Sequence, residues 1–347
     1  MSLDAAPAAA PLDLDTIGEE QLLDTRIRDL PLSIEGTWLE ERVGLLHAEL
    51  QSKDLLFQPR CYLADEWLTP EGEPVIGIPF YLAHPRLIAL EKKMMLEVEG
   101  ESPEHCMKLL RHEAGHALTY AFGLNRKRSW QRVFGHPSQE YDDAYRFRPY
   151  SKSFVRHLDS YYAQNHPDED FVETFAVWLT PGLDWRTRYR GWKALDKLEF
   201  VDRLMQSIAG QTPQKKSGRQ HWRASRIRST LRHYYQKRRH AEAENYPDFH
   251  DANLRRMFPA SGQPAENQRA VAPLLQAQRR ALLGSIAEWT GESRFMVNEV
   301  LKAVLQRSRA LQLLSSESEA VTLLRLSTYL TTLLMNYRHT NRLRGKI

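Results

Sequence analysis

Three residues within five positions, in the run His112-Glu113-Ala114-Gly115-His116, carry the strongest chemical signal in the chain. On a helix, positions i and i+4 share a face, so both imidazoles can reach one zinc ion at about 2.0 to 2.1 Å with the glutamate beside a water that the ion binds. Glu113 would orient and deprotonate the attacking water while the ion polarises the carbonyl under attack. Around the motif, Met107, Leu109, Leu110, Ala117, Leu118 and Ala121 make the helix apolar almost all round. Two imidazoles and a carboxylate among them need partners, and one Zn2+ per chain supplies that need.

A hydrolytic zinc site takes three protein ligands and keeps one position open. The metzincin continuation would place Gly at 119 and His at 122, where Thr119 and Phe122 stand. A second apolar helix, expected over Asp168 to Leu179 and stopped by Pro181-Gly182, offers three acids instead. Stepping about 100° per residue sets Glu169 and Glu173 at the margin of its apolar stripe and points Asp170 farthest out, toward a helix N-terminal role. Glu169 and Glu173 are four apart, so one can bind the metal while the other holds a ligand histidine by its second nitrogen. Helical angles do not choose between them. His136, His157 and His166 are further candidates for ligation or hydrogen bonding, each more ordinary as a surface histidine.

After a long insert, HEAGH is followed by YAQNHPDEDFVETFA, Tyr162 to Ala176. This combination resembles a bacterial family of zinc-binding metallopeptidases within the gluzincins, and Trp185-Arg186 and Gly191-Trp192 extend the resemblance to about residues 36 to 205. Around the site it is also similar to the catalytic domain of anthrax lethal factor. The resemblance implies a zincin-like site with His112, His116 and Glu169 as metal ligands, Glu113 as base, Glu173 holding a ligand from behind, and Tyr162 as the phenol on the oxyanion side. Val172 stands where the family usually has Ala.

The remaining sequence must position these groups. With 347 residues the chain has room for about two domains. At 42% hydrophobic and 27% charged it is neither collagenous nor wholly disordered. An amphipathic helix is expected over Gly36 to Gln51, strands over Phe57 to Leu63 and Pro74 to Leu82, and the motif helix over 103 to 122, capped by Ser102, Pro103 and Gly123. The strand from Pro74 is a candidate edge for an extended peptide. Expected C-terminal helices fall near 265 to 289, 293 to 313 and 316 to 339, the last opened by a Ser316 to Glu319 capping box. The expected fold class is α+β: a mostly helical catalytic domain with a small sheet, plus an all-α C-terminal region. The division reads as a flexible tail 1–35, a metallopeptidase domain 36–205, a basic linker or helical segment 206–264 and a helical bundle 265–347. No 18-residue apolar run occurs, so no membrane span is expected. The N-terminus, acidic and without Lys or Arg before Arg26, leads us to expect a cytoplasmic protein. Cys61 and Cys106 cannot form a disulfide framework or a cysteine zinc site and read as plain buried thiols.

From Arg203 to His240 there are eleven Lys or Arg and no acid, although the net charge is only +4. Trp222, Tyr234 and Tyr235 interleave with the cations. Residues 215–240 therefore suggest a nucleic acid or an acidic polypeptide as partner, against the simpler reading of a solvated helix face. The leading reading is a zinc-dependent peptidase acting on a peptide or protein. The alternative is a nucleic-acid-binding or adaptor protein with a structural or vestigial zinc site.

Overall fold

A computed structural model describes residues 12–141, 148, 150–158, 161–241, 250–258 and 268–340. Its elements run α1 (Glu19–Asp24), α2 (Trp38–Gln51), β1 (Arg60–Ala64), β2 (Val75–Pro79), α3 (Pro85–Met95), α4 (Pro103–Phe122), α5 (Arg128–Phe134), α6 (Pro167–Leu179), α7 (Trp185–Arg188) and α8 (Ala194–Ile208). There follow α9 (Leu231–Ala241), α10 (Asp251–Met257), β3 (Arg269–Ala270), α11 (Val271–Thr290), α12 (Arg294–Ala310), β4 (Leu314–Ser315) and α13 (Glu319–Thr340). The class is α+β, mostly helical with a small parallel sheet.

The two central helices end where their sequence dictates. Ser102 accepts a hydrogen bond from His105 N, Pro103 opens α4, and Gly123 closes it in the left-handed region at φ 60°. His166 caps α6 by accepting from Asp168 N, Pro167 follows, and Thr180 ends the helix before Pro181. α4 and α6 pack closely because Gly115 has no side chain: a Cβ there would lie 2.9 Å from Val172 Cβ and 3.1 Å from Phe175 Cδ1. Val172 thus fills the space that Gly115 leaves.

The strands pair in parallel, Arg60 with Val75 through Ala64 with Pro79. The intervening segment then folds back, and Leu68 pairs antiparallel with Gly77 on the other edge of β2. Leu68 Cδ2 and Ala64 Cβ occupy the space in which a side chain at Gly77 would lie. β2 is therefore an interior strand buried along its length, not the open edge expected of Pro74 to Leu82.

Part of the expected tail is folded: from Leu12 onward the chain is described, and Leu14, Ile17, Leu22, Leu23, Ile27 and Leu30 are buried in the main core. Residues 1–11 of that tail lie outside the described residues. Within the expected basic linker, Leu231 and Tyr235 are buried in the same core. Leu254, on α10, belongs to a second core formed with α11, α12 and α13. Phe295, at the start of α12, crosses into the first core, and Arg294 N donates to Glu97 Oε2 beside it. The last helix starts later than the Ser316 to Glu319 box requires; Ser318 Oγ accepts from Val321 N, so Ser318 takes the capping role. No described helix is long and apolar enough to cross a membrane.

Candidate metal centre

Histidines 112 and 116 project from α4 toward α6, their rings 5.1 Å apart between centroids. Glu169, in the first turn of α6, brings Oε2 to 3.2 Å from His112 Nε2 and 3.5 Å from His116 Nε2. This oxygen is buried and makes no aligned hydrogen bond. Ligand atoms of His112, His116 and Glu169 all lie within 4.8 Å of one another. One metal ion bound by all three fits that arrangement, because it would satisfy an oxygen and two nitrogens that the protein leaves facing each other.

Glu173, one turn further along α6, turns away from this point. Its Oε1 is 2.9 Å from His112 Nδ1, and its Oε2 accepts the Leu158 amide at 2.8 Å. The imidazole is thereby held from behind with Nε2 toward the cluster. Glu113 is buried too, with Oε2 lacking a partner, and Thr69 Oγ1 donates to its backbone carbonyl at 3.1 Å. Tyr162, in a 3-10 turn over Tyr162–Gln164, places its ring 5.7 Å from that of His112.

Electrostatics bind the cluster together. Burial opposes charge on His112, but Glu169 and Glu173 outweigh it and raise its pKa well above the usual imidazole value. At His116 burial is likewise outweighed, chiefly by Glu169. Conversely, Glu169 is buried, yet His116 and His112 hold its carboxyl far below the ordinary range. Without metal both histidines therefore hold their protons to higher pH than a free imidazole does, and a metal ion would compete with those protons. Glu99, whose carbonyl accepts the Trp67 indole N–H at 3.3 Å, is open to solvent as a residue. Protein crowding around its carboxyl and the charge of Glu113 still push it up to about 7.

The other candidates do different work. His166 is the N-cap of α6, with Nε2 donating to Gln139 O at 2.7 Å. His157 is buried and donates from Nε2 to Lys108 O at 2.9 Å, and burial lowers its pKa. His136 is bonded to Ser138 at the surface. Asp170 corrects the helical-wheel expectation: it is buried, 2.6 Å from Lys197 Nζ, and burial still pushes its carboxyl up to about 7. Its side of α6 faces α8 rather than water.

One residue at the centre went unnoticed in the sequence. Tyr141, half exposed as a residue, donates from its hydroxyl to Glu169 Oε1 at 2.9 Å, and the protein around that hydroxyl together with the Glu169 charge raises its pKa. No spacing rule points to it, since the contact spans 28 positions in sequence.

Within the basic stretch, several cations are spent on internal ion pairs. Lys215 meets Glu73 at 2.5 Å, Arg232 meets Glu20 and Asp24 at 2.7 Å, and Arg238 meets the buried Glu91 at 2.7 Å. Trp222 is exposed, Tyr235 is fully buried, and Tyr234 donates to Asp65 O. Both cysteines are free, Cys106 buried and Cys61 partly so, and burial pushes each thiol up to about 12.

Two histidines from one helix and a glutamate from its neighbour are a donor set of the kind that zinc takes. In agreement, residues 100–184 match a family model described as "Putative zinc-binding metallo-peptidase". That match runs from the approach to α4 to the turn before α7 and includes all three ligand candidates. No curated protein and no solved structure matches the chain.

Proposed function

We propose that the protein is a zinc-dependent peptidase of the gluzincin type, with a zincin-like core that hydrolyses peptide bonds of a peptide or protein. The observation that carries this reading is the buried Glu169 Oε2, which makes no aligned hydrogen bond and faces both His112 Nε2 and His116 Nε2. A zinc ion held by His112, His116 and Glu169 would polarise a substrate carbonyl and lower the pKa of water to about 7.

The protein's own groups then divide the work. Glu113, with a free buried oxygen, takes the proton of the attacking water and returns it to the leaving amine. Tyr162 donates a hydrogen bond to the developing oxyanion, an interaction worth a few kcal/mol in comparable sites. Glu173 keeps His112 oriented. An extended substrate would run beside the segment that carries Leu68 and Thr69, because Thr69 Oγ1 reaches the Glu113 carbonyl and β2 already has a neighbour on each side.

A nucleic-acid-binding or adaptor role has less support, since Lys215, Arg232 and Arg238 are engaged within the chain. The test is cleavage of a randomised peptide mixture by the full chain, purified without chelator and analysed for metal. Expected are about one zinc per chain and cleavage that a chelator stops and added zinc restores. Protein without metal, or cleavage indifferent to the chelator, overturns the proposal.

A further inference from the structure

Glu169 presents its two oxygens to different partners. Oε2 faces the histidines, whereas Oε1 receives the Tyr141 hydroxyl at 2.9 Å. We propose that Tyr141 is a positioning residue for Glu169, holding one carboxylate oxygen so that the other is presented to the metal. This rests on the reading of the centre as a zinc site.

The phenol is held by more than its own hydrogen bond. Its ring stacks on His166 with centroids 3.9 Å apart and planes 11° from parallel. His166 is itself pinned at both nitrogens, Nδ1 accepting from Asp168 N at 3.1 Å and Nε2 donating to Gln139 O at 2.7 Å. The residue that caps α6 therefore also seats the tyrosine that orients the first-turn carboxylate of the same helix. Tyr141 is 51% exposed, so filling the core does not explain its placement; the stack and the hydroxyl do. A phenol bonded to a carboxylate is a charge-assisted donor, stronger than a neutral pair. With Oε1 engaged, rotation of the carboxylate away from the histidines would break that bond. Glu173 does for His112 what Tyr141 does for Glu169, so two of the three ligands are held from behind.

Tyr141→Phe removes the hydroxyl and keeps the stack. The metal-free full chain, wild type and variant, is titrated with zinc in competition with a chromophoric chelator, and thermal unfolding of both metal-free proteins is recorded. The variant should bind zinc roughly 10- to 100-fold more weakly with an unchanged unfolding midpoint. Its cobalt-loaded visible spectrum should also differ from that of the wild type, as expected when a ligand carboxylate reorients. Zinc affinity within about twofold of wild type overturns the inference and leaves the zinc reading standing. An affinity loss matched by a fall in metal-free stability with an unaltered cobalt spectrum also overturns it, by making the hydroxyl a folding contact. Failure of the wild type itself to bind zinc overturns both.

Discussion

Glu173 Oε1 lies 2.9 Å from His112 Nδ1, and its other oxygen holds the Leu158 amide, so a buried carboxylate ties the motif histidine to the chain 46 residues further on. Removing it should loosen a ligand without deleting one. Glu173→Ala should therefore weaken zinc binding by about 10- to 100-fold, and Glu169→Ala, which deletes a ligand, by more. Because the pKa values of His112 and His116 are raised in the metal-free protein and zinc competes with their protons, zinc affinity should also rise with pH. Calorimetric zinc titration of both variants at several pH values checks the order and the sign.

Gly115 controls how closely α4 approaches α6. Gly115→Ala would bring a methyl within 2.9 Å of Val172 Cβ, so it should destabilise by about 1 to 3 kcal/mol and weaken zinc binding as the helices part. Combining it with Val172→Ala should recover only a small part of the loss, because alanine removes the Cγ1 contact at 3.0 Å but keeps the Cβ at 2.9 Å. Denaturant unfolding of the two single variants and the double variant measures the coupling.

Arg238 faces Glu91, which is 1% exposed. Arg238→Gln takes away the partly exposed guanidinium that pairs with a buried carboxylate and should cost about 1 to 3 kcal/mol. Lys237→Gln, on the exposed side of the same helix, should stay within about 0.5 kcal/mol. Urea midpoints at constant slope distinguish the two.

His250 gives the second core a pH dependence. It is buried with Nδ1 2.8 Å from the Tyr329 hydroxyl, and burial lowers its pKa to about 4. The unfolded chain therefore takes up the proton first. The stability of the neutral form is complete above about pH 6.5 and is lost as pH falls toward 4, by about 2 kcal/mol between pH 7 and 5. His250→Gln should flatten that dependence in thermal unfolding followed over this range.

What could be read in advance was local. Ser102, Pro103, Gly123 and Pro181 are helix punctuation, so α4 and α6 were legible almost to the residue. Spacing put Glu169 and Glu173 on one face of α6, but only the neighbouring helix decides which carboxylate meets the Nε2 atoms and which the Nδ1 of His112. Asp170 misled for the same reason: a single-helix projection contains no α8, and therefore no Lys197. Tyr141 and the return of Leu68 to Gly77 are tertiary contacts without a periodic signature. The basic stretch looked unpaired because the acids that pair with part of it, Glu20, Asp24, Glu73 and Glu91, lie more than 100 positions earlier.

The most direct measurement of the central claim compares zinc-loaded wild type with Glu113→Gln on the peptide mixture, following new termini by mass spectrometry. Glutamine keeps the shape of the side chain and leaves His112, His116 and Glu169 in place, but it cannot accept the proton of the attacking water. The account predicts unchanged zinc content and cleavage reduced by roughly 100-fold or more. Equal cleavage by the two proteins at equal zinc content would contradict it.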